Sequence, residues 1–378
     1  MKILEITEYS AGICGVWQRV KQESEELVKK GNEVYVFSSD IEKGTNNKVP
    51  KYELTKGIKI FRFPVKKRVF NKFSENVNSF EFCSKFNEIK PDIVITHLIH
   101  PHSFKALTYS EKRKIPCYLV THAPFNVKRS PALSLLTKMY YSFKVSKKIK
   151  RFSKIITITK WEIPYLNKLG IKKEKIIYIP NYIPNEFFKE KIKPFSGKKI
   201  LFLGRIAPIK DLETLIRAFK IVNQKNKKIT LEITGPIEKP YGQELFKLIK
   251  KLQLTDSIKF IRPIYDLNKK IKKIGEADIF VLPSKREAMP QAIIEAMSLG
   301  KIVIASSTSG AQEIIENHKN GFLFQIGNYK ELAEILSDVL SSKDLKNINQ
   351  TQKNARKTSE QFKISHLIDK LERLIHNK

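Results

Sequence analysis

Two rhythms of apolar positions alternate along this chain almost from end to end. Short runs rich in Ile and Val (Lys2 to Thr7, Glu33 to Phe37, Ile58 to Arg62, Asp92 to Thr96, Pro116 to Val120, Ile155 to Thr159, Lys175 to Ile179) read as strands, with longer helical or loop stretches between them. Such runs suit strands covered on both faces, and their alternation with helices predicts parallel sheets built from βαβ units. The pattern breaks at Ile179-Pro180-Asn181-Tyr182-Ile183-Pro184, and a polar segment follows to Ser196-Gly197. A second series then begins: Lys199 to Leu203, Thr230 to Thr234, Ile258 to Ile261, Asp278 to Leu282, Ile302 to Ala305 and a weaker run from Phe322 to Gln325. This is an α/β chain of two doubly wound halves, residues 1–183 and 184–360, with a terminal segment 361–378. Within that segment Leu367, Ile368, Leu371, Leu374 and Ile375 fall at helical spacing, which allows the helix to pack back on the N-terminal domain.

Composition narrows the class. At 41% hydrophobic and 10% aromatic residues, with 15 Gly and 17 Pro in 378, the chain is globular and not disordered or fibrous. Cys14, Cys83 and Cys117 are too few and too widely spaced for a disulfide framework or a zinc ribbon, which fits a reducing compartment. No run approaches the ~20 apolar residues of a membrane span, and the short alternating run after Met1-Lys2 is not a secretory signal, so a cytoplasmic location is expected. The charge is less ordinary: 71 Lys+Arg against 38 Asp+Glu leave +33. That surplus predicts an anionic partner, although 59 Lys against 12 Arg also fits a simple lysine bias.

In open α/β sheets ligands sit where strand C-termini lead into helices, so three loops matter most. After the first strand, Gly12 and Gly15 allow close approach of backbone to a ligand, but the pair falls short of the G-x-G-x-x-G of a dinucleotide site. After Leu203, Gly204-Arg205 and Lys210 place two cations beside a helix start, suited to a phosphate or to plain solvation. After Leu282 comes Pro283 to Pro290 and then a helix ending at Gly300, with Pro290 expected in its first turn. Glu287 and Glu295, in E-x7-E spacing, either read vicinal sugar hydroxyls or lie on the surface.

The segment Ser284 to Gly300 resembles the donor-binding signature of the family 4 retaining glycosyltransferases of GT-B fold. Further matches follow in the same order: Gly204-Arg205 with Lys210, Gly235, Ser309-Gly310 with Glu313, and Asn320-Gly321-Phe322. In the first half, Gly12/Gly15 and Lys30 to Val34 also agree. The resemblance implies two Rossmann-like domains facing a cleft, and a sugar moved from a nucleotide-diphosphate-sugar to a glycan or lipid-linked hydroxyl. It implies that Arg205 and Lys210 clamp the donor diphosphate, Glu295 holds the ribose, Glu287 contacts the sugar, and His122 is the active-site histidine. Gly12 and Gly15 are implied to approach the donor phosphates, while Met289-Pro290 stands where many members have Phe-Gly, and Thr234-Gly235-Pro236 replaces a commoner Gly-x-Gly stretch. No cofactor or metal is implied. The His97-x-x-His100-x-His102 cluster has ligand-like residues but no accompanying carboxylate motif, so His97 and His100 are expected on the acceptor side instead.

From 112 to 161 there are thirteen Lys and Arg and no acidic residue. Pro131 to Phe152 reads as a helix carrying Lys144, Lys147, Lys148 and Arg151 as one stripe, and Arg62 to Phe73 mixes basic and aromatic residues. Both suit an anionic membrane, so a peripheral location on its inner face is expected, and no recognition motif points to specific nucleic acid binding. Two alternatives remain at this level: a non-transferring GT-B relative such as a nucleotide-sugar epimerase, and a basic binding module with an idle sugar site.

Overall fold

In the computed structural model, which describes residues 1–12, 14–43, 47–68, 71–77, 79–124, 145–341 and 345–376, the chain divides into two units. One is Met1–Asn181 together with Ile364–Lys378, and the other is Tyr182–Lys363.

In the first unit the strands are β1 (Lys2–Ile6), β2 (Glu33–Ser39), β3 (Tyr52–Thr55), β4 (Ile58–Phe63), β5 (Val65–Arg68), β6 (Asn71–Val77), β7 (Ile93–His97), β8 (Cys117–Val120), β9 (Lys154–Thr157) and β10 (Ile176–Tyr178). Eight form one sheet in the order β10-β9-β8-β7-β1-β2-β4-β3, parallel except for β3. The switch point therefore lies between β1 and β7. Leu4, Ile6, Phe37, Val94 and Leu119 build the core on one face. On the other face lies the helix Gly15–Lys29, and against it the terminal helix Ile364–His376. Lys30 reaches Asp369 at 2.9 Å and Glu372 at 2.8 Å, and the Tyr118 hydroxyl donates to the Leu374 carbonyl at 3.0 Å.

Three strands were not evident from periodicity. β3 is an edge strand with Tyr52 and Leu54 exposed, and β5 and β6, within and beyond the basic and aromatic segment, pair as a separate antiparallel ribbon. The expected helix from Pro131 to Phe152 lies largely outside the described residues, Lys144 included. Its described part is α-helical over Ser146–Ile149. Arg151 lies beyond that helix and pairs with Glu111, its Nε 2.8 Å from Oε1, so it does not extend a free basic stripe.

The second unit holds β11 (Lys199–Leu203), β12 (Thr230–Thr234), β13 (Ile258–Ile261), β14 (Ile279–Leu282), β15 (Ile302–Ser306) and β16 (Phe322–Phe324), all parallel, in the order β13-β12-β11-β14-β15-β16. This is the doubly wound order, with its switch point between β11 and β14. The helix Leu212–Lys225 buries Leu212, Leu215, Ile216, Phe219 and Val222 at helical spacing, which fixes the loop entering it. Among the described residues, no helix is long and apolar enough to cross a membrane.

Candidate active site

The loops after β11 and β14 flank the second unit's switch point and are stitched together there. The Lys285 amide donates to the Ile209 carbonyl at 2.9 Å, and Lys285 Nζ lies 3.5 Å from Asp211 Oδ1. Lys210 Nζ donates to Glu287 Oε1 at 2.5 Å, and Ser284 Oγ reaches the same oxygen at 2.6 Å. Lys210 is thus held by a carboxylate at the carboxyl end of the sheet. Arg205, on the same loop, donates to Glu238 at 2.5 Å, with both side chains more than a third exposed. Such a pair is weak in water and exchanges readily for a phosphate.

Glycine is required at Gly235 and at Gly310. Gly235 has φ +149, and a Cβ there would lie 1.9 Å from the Gly204 carbonyl oxygen. The ends of β11 and β12 meet backbone to backbone at that point. Gly310 would place a Cβ 2.3 Å from the Ala288 oxygen, so the start of the helix Ser309–Gln312 lies directly against the Glu287-Ala288 backbone. Gly300, at φ +63, ends the helix Gln291–Ser298 as the sequence predicts. Pro290 differs: it is the N-cap, with φ −76 and ψ 103, and not a first-turn residue. Met289 is buried beside it.

Glu295 is the most informative of these side chains. Only 3% of the residue is exposed, Lys270 Nζ donates to Oε1 at 2.5 Å, and Oε2 is buried without a hydrogen-bond partner. An orphaned carboxylate oxygen is costly, and a hydroxyl donor would satisfy it. Lys270 and Glu238 were missed in the sequence because each lies far from its partner along the chain and has no spacing signature of its own.

The first unit carries its own polar cluster. Gly12, at φ +80, sits so close to the Lys43 backbone that a Cβ would lie 2.5 Å from its oxygen, while Gly15 opens the following helix with free space around it. Arg62 anchors this loop through Ser10, donating to Oγ at 2.7 Å and to the carbonyl at 3.3 Å. Asp40 is held by Lys48 at 2.5 Å. His122 follows β8 in a strained corner, where it and Ala123 both have φ +54. Buried Glu162 holds that corner by accepting from Thr121, Thr157 and Thr159 at 3.0, 2.6 and 3.3 Å. Burial raises the pKa of Glu162, partly offset by those hydrogen bonds.

His97 corrects an expectation. Instead of facing an acceptor it is fully buried, with Nε2 2.7 Å from Glu5 Oε2 and Nδ1 3.0 Å from His122 Nε2. His100 Nδ1 lies 2.7 Å from His102 Nδ1. Burial lowers the His97 pKa to about 3, pushes those of His102 and His122 well below normal, and raises that of Glu5 to about 8. Among the described residues, no group of three His, Cys, Asp or Glu is arranged to hold a metal. Lys147 and Lys148 are exposed, with Lys148 Nζ 5.0 Å from the Phe104 ring centre.

Comparison with known proteins identifies the family. Residues 13–187 match Glycosyltransferase Family 4, and residues 184–358 match Glycosyl transferases group 1. An uncharacterized glycosyltransferase of Methanocaldococcus jannaschii is 25% identical over 370 residues, covering 90% of this chain and 89% of that one. One from Haemophilus influenzae is 29% identical over 218 residues, 57% of this chain, and the match spans 59% of that relative's length. Among solved structures, Anabaena HepE in complex with UDP-glucose superposes with TM-score 0.76 at 18% identity, covering both chains fully. The two matches overlap over residues 184–187 and together take in residues 13–358, and the chain belongs to the family 4 glycosyltransferases of GT-B fold and is a transferase enzyme.

Proposed function

We propose that this enzyme moves a sugar, with retention of anomeric configuration, from a nucleoside-diphosphate-sugar to a hydroxyl of a glycan or lipid-linked acceptor at the cytoplasmic face of a membrane. The observation that carries the donor half is Glu295: a buried carboxylate with one oxygen unpartnered, in the helix that follows a switch-point loop. Vicinal ribose hydroxyls are the donors it lacks. A structural neighbour of this fold was solved with UDP-glucose, which makes a uridine donor the first to test.

Cleavage of the sugar–phosphate bond builds negative charge on the leaving diphosphate. Arg205 and Lys210 supply cations there, each exchanging its carboxylate partner for phosphate oxygens, so the reaction needs no bound metal in this reading. Release from Lys210 leaves Glu287, still held by Ser284, to accept from a sugar hydroxyl. The acceptor hydroxyl attacks from the face the leaving group departs, and its proton passes to the departing phosphate. His122 contacts the donor sugar. Exposed Lys147 and Lys148, in the acid-free stretch of the acceptor-side unit, support docking on an anionic lipid surface.

The test is a panel of nucleotide-sugars screened by thermal shift, since a bound donor stabilises the fold according to its affinity. One donor should raise Tm in the wild type and not in Glu295→Ala. Equal shifts in both proteins refute the donor site.

A further inference from the structure

Glu5 lies in β1 between Leu4 and Ile6, and its register partners, Val36 on β2 and Ile95 on β7, are apolar. A carboxyl group with no exposure in such a place needs a polar reason to be there. Its Oε2 meets His97 Nε2 at 2.7 Å, and the other nitrogen of that ring meets His122 Nε2 at 3.0 Å. The three side chains form a single file of hydrogen bonds. His122 Nδ1 is the one ring nitrogen in the file that remains for a ligand.

We propose that Glu5 is a positioning residue that acts through His97 to set whether His122 Nδ1 offers a lone pair or an N–H to the substrate. The inference rests on the reading of His122 as a contact to the donor sugar. Its logic is one of hydrogen-bond direction. When Glu5 is ionised it accepts from His97 Nε2–H, which leaves His97 Nδ1 as an acceptor. His122 must then donate from Nε2, and its Nδ1 carries a lone pair. When Glu5 takes up a proton it donates to His97 Nε2, and His97 Nδ1–H donates to His122 Nε2. The outward Nδ1 now carries the proton. One proton is bound at Glu5, two others change nitrogen, and neither ring becomes charged.

The surroundings favour neutral rings. Burial disfavours charge on His97 and His122 and raises the Glu5 pKa to about 8. Among charged groups, Arg19 on the helix Gly15–Lys29 favours the Glu5 carboxylate, and Glu23 on the same helix favours protonation of His97. Those two pair with each other at 3.2 Å, and Arg19 Nη1 also donates to the Ile179 and Pro180 carbonyls. From the helix Pro101–Lys112, His102 faces His97 as a neutral ring. Near neutral pH the neutral acid therefore dominates, and His122 presents an N–H suited to a sugar hydroxyl oxygen.

The test reads the tautomer directly. In nitrogen-labelled full-length protein, proton–nitrogen correlation spectra distinguish the two neutral tautomers, and comparison with His122→Gln assigns the resonance among the seven histidines. His122 is expected to pass from the Nδ1–H to the Nε2–H form as pH rises from about 6 to about 10, and Glu5→Gln is expected to abolish that change. The pH profile of kcat should lose its alkaline limb in Glu5→Gln, and Glu5→Leu should lower kcat about tenfold or more at neutral pH. A wild-type tautomer that stays fixed across the range, or one that changes equally in Glu5→Gln, overturns the relay. If Glu5→Leu does not fold, the wild-type titration decides alone. Tautomer exchange without transfer of any sugar would instead count against the proposed function and leave the relay standing.

Discussion

Lys210 and Glu287, 77 positions apart in the chain, meet at 2.5 Å across the switch point of the second unit's sheet. The loops after β11 and β14 are thereby latched to each other, and under the proposed function a donor diphosphate would replace the carboxylate as the partner of Lys210. Lys210→Ala removes a cation from the leaving group and should lower kcat by about 10²-fold, in the range seen when one preorganised electrostatic contact is lost. Steady-state kinetics with the donor found by thermal shift checks this, and wild-type turnover would remove Lys210 from the phosphate clamp.

Glu295 should behave differently, as a ground-state binder. Loss of hydrogen bonds to a buried carboxylate costs about 1.5–3 kcal/mol, so Glu295→Ala should weaken nucleoside diphosphate binding about tenfold to a hundredfold. Lys270, left without its partner, retains some exposure and can be hydrated, so the fold should survive. Calorimetric titration with the free nucleoside diphosphate separates this loss from any effect on chemistry.

Parts of this site were legible in the sequence and parts were not. The E-x7-E spacing singled out Glu287 and Glu295, and Gly204-Arg205 the facing loop, because both segments follow a strand with its own apolar signature. The partners Lys270 and Glu238 come from elsewhere in the fold, and a basic residue in so basic a chain carries no signal by itself. Glu5 did leave a trace: a carboxylate inside Ile3-Leu4-Glu5-Ile6, in a strand expected to be covered on both faces, conflicts with its surroundings. The stripe expected along Lys144 to Arg151 rested on helical spacing alone, whereas the described helix ends at Ile149 and Arg151 turns to Glu111.

Gly310→Ala should separate packing from chemistry. Its new Cβ would meet the Ala288 carbonyl oxygen at 2.3 Å, so the Glu287-Ala288 backbone or the facing helix must shift. The expected result is a loss of about 1–3 kcal/mol in denaturant unfolding, together with weaker donor binding that saturating donor partly restores. Unchanged stability and affinity would mean that this close approach is not maintained in solution.

Charge on the first unit makes a separate prediction. Because Arg151 is already paired with Glu111, the exposed cations without a carboxylate partner in the described part of the acid-free stretch include Lys147 and Lys148. Each basic residue near an anionic lipid surface contributes about 1 kcal/mol. The double variant Lys147→Glu/Lys148→Glu should weaken cosedimentation with phosphatidylserine vesicles at least tenfold while leaving Tm unchanged. Equal binding by the variant would assign these lysines to ordinary solvated surface.

Stability should depend on pH in a way set by the same buried groups that form the relay. The Glu5 pKa is raised from 4.5 to about 8, so across that window the folded state holds a proton that the unfolded chain releases, and stability falls as pH rises. The His97 pKa is lowered from 6.5 to about 3, so in that window the unfolded chain binds the extra proton, and stability falls as pH drops. His122 and His102 are shifted the same way and steepen the acid side. Between 4.5 and 6.5 the slopes from Glu5 and the histidines oppose each other, while above 6.5 the slope from Glu5 acts alone among these groups. Tm should therefore decline from about pH 6.5 to about pH 8, and Glu5→Gln, which cannot ionise, should flatten that decline without altering the acid limb. A decline of equal slope in the variant would mean that Glu5 ionises no harder in the folded protein than in the unfolded chain.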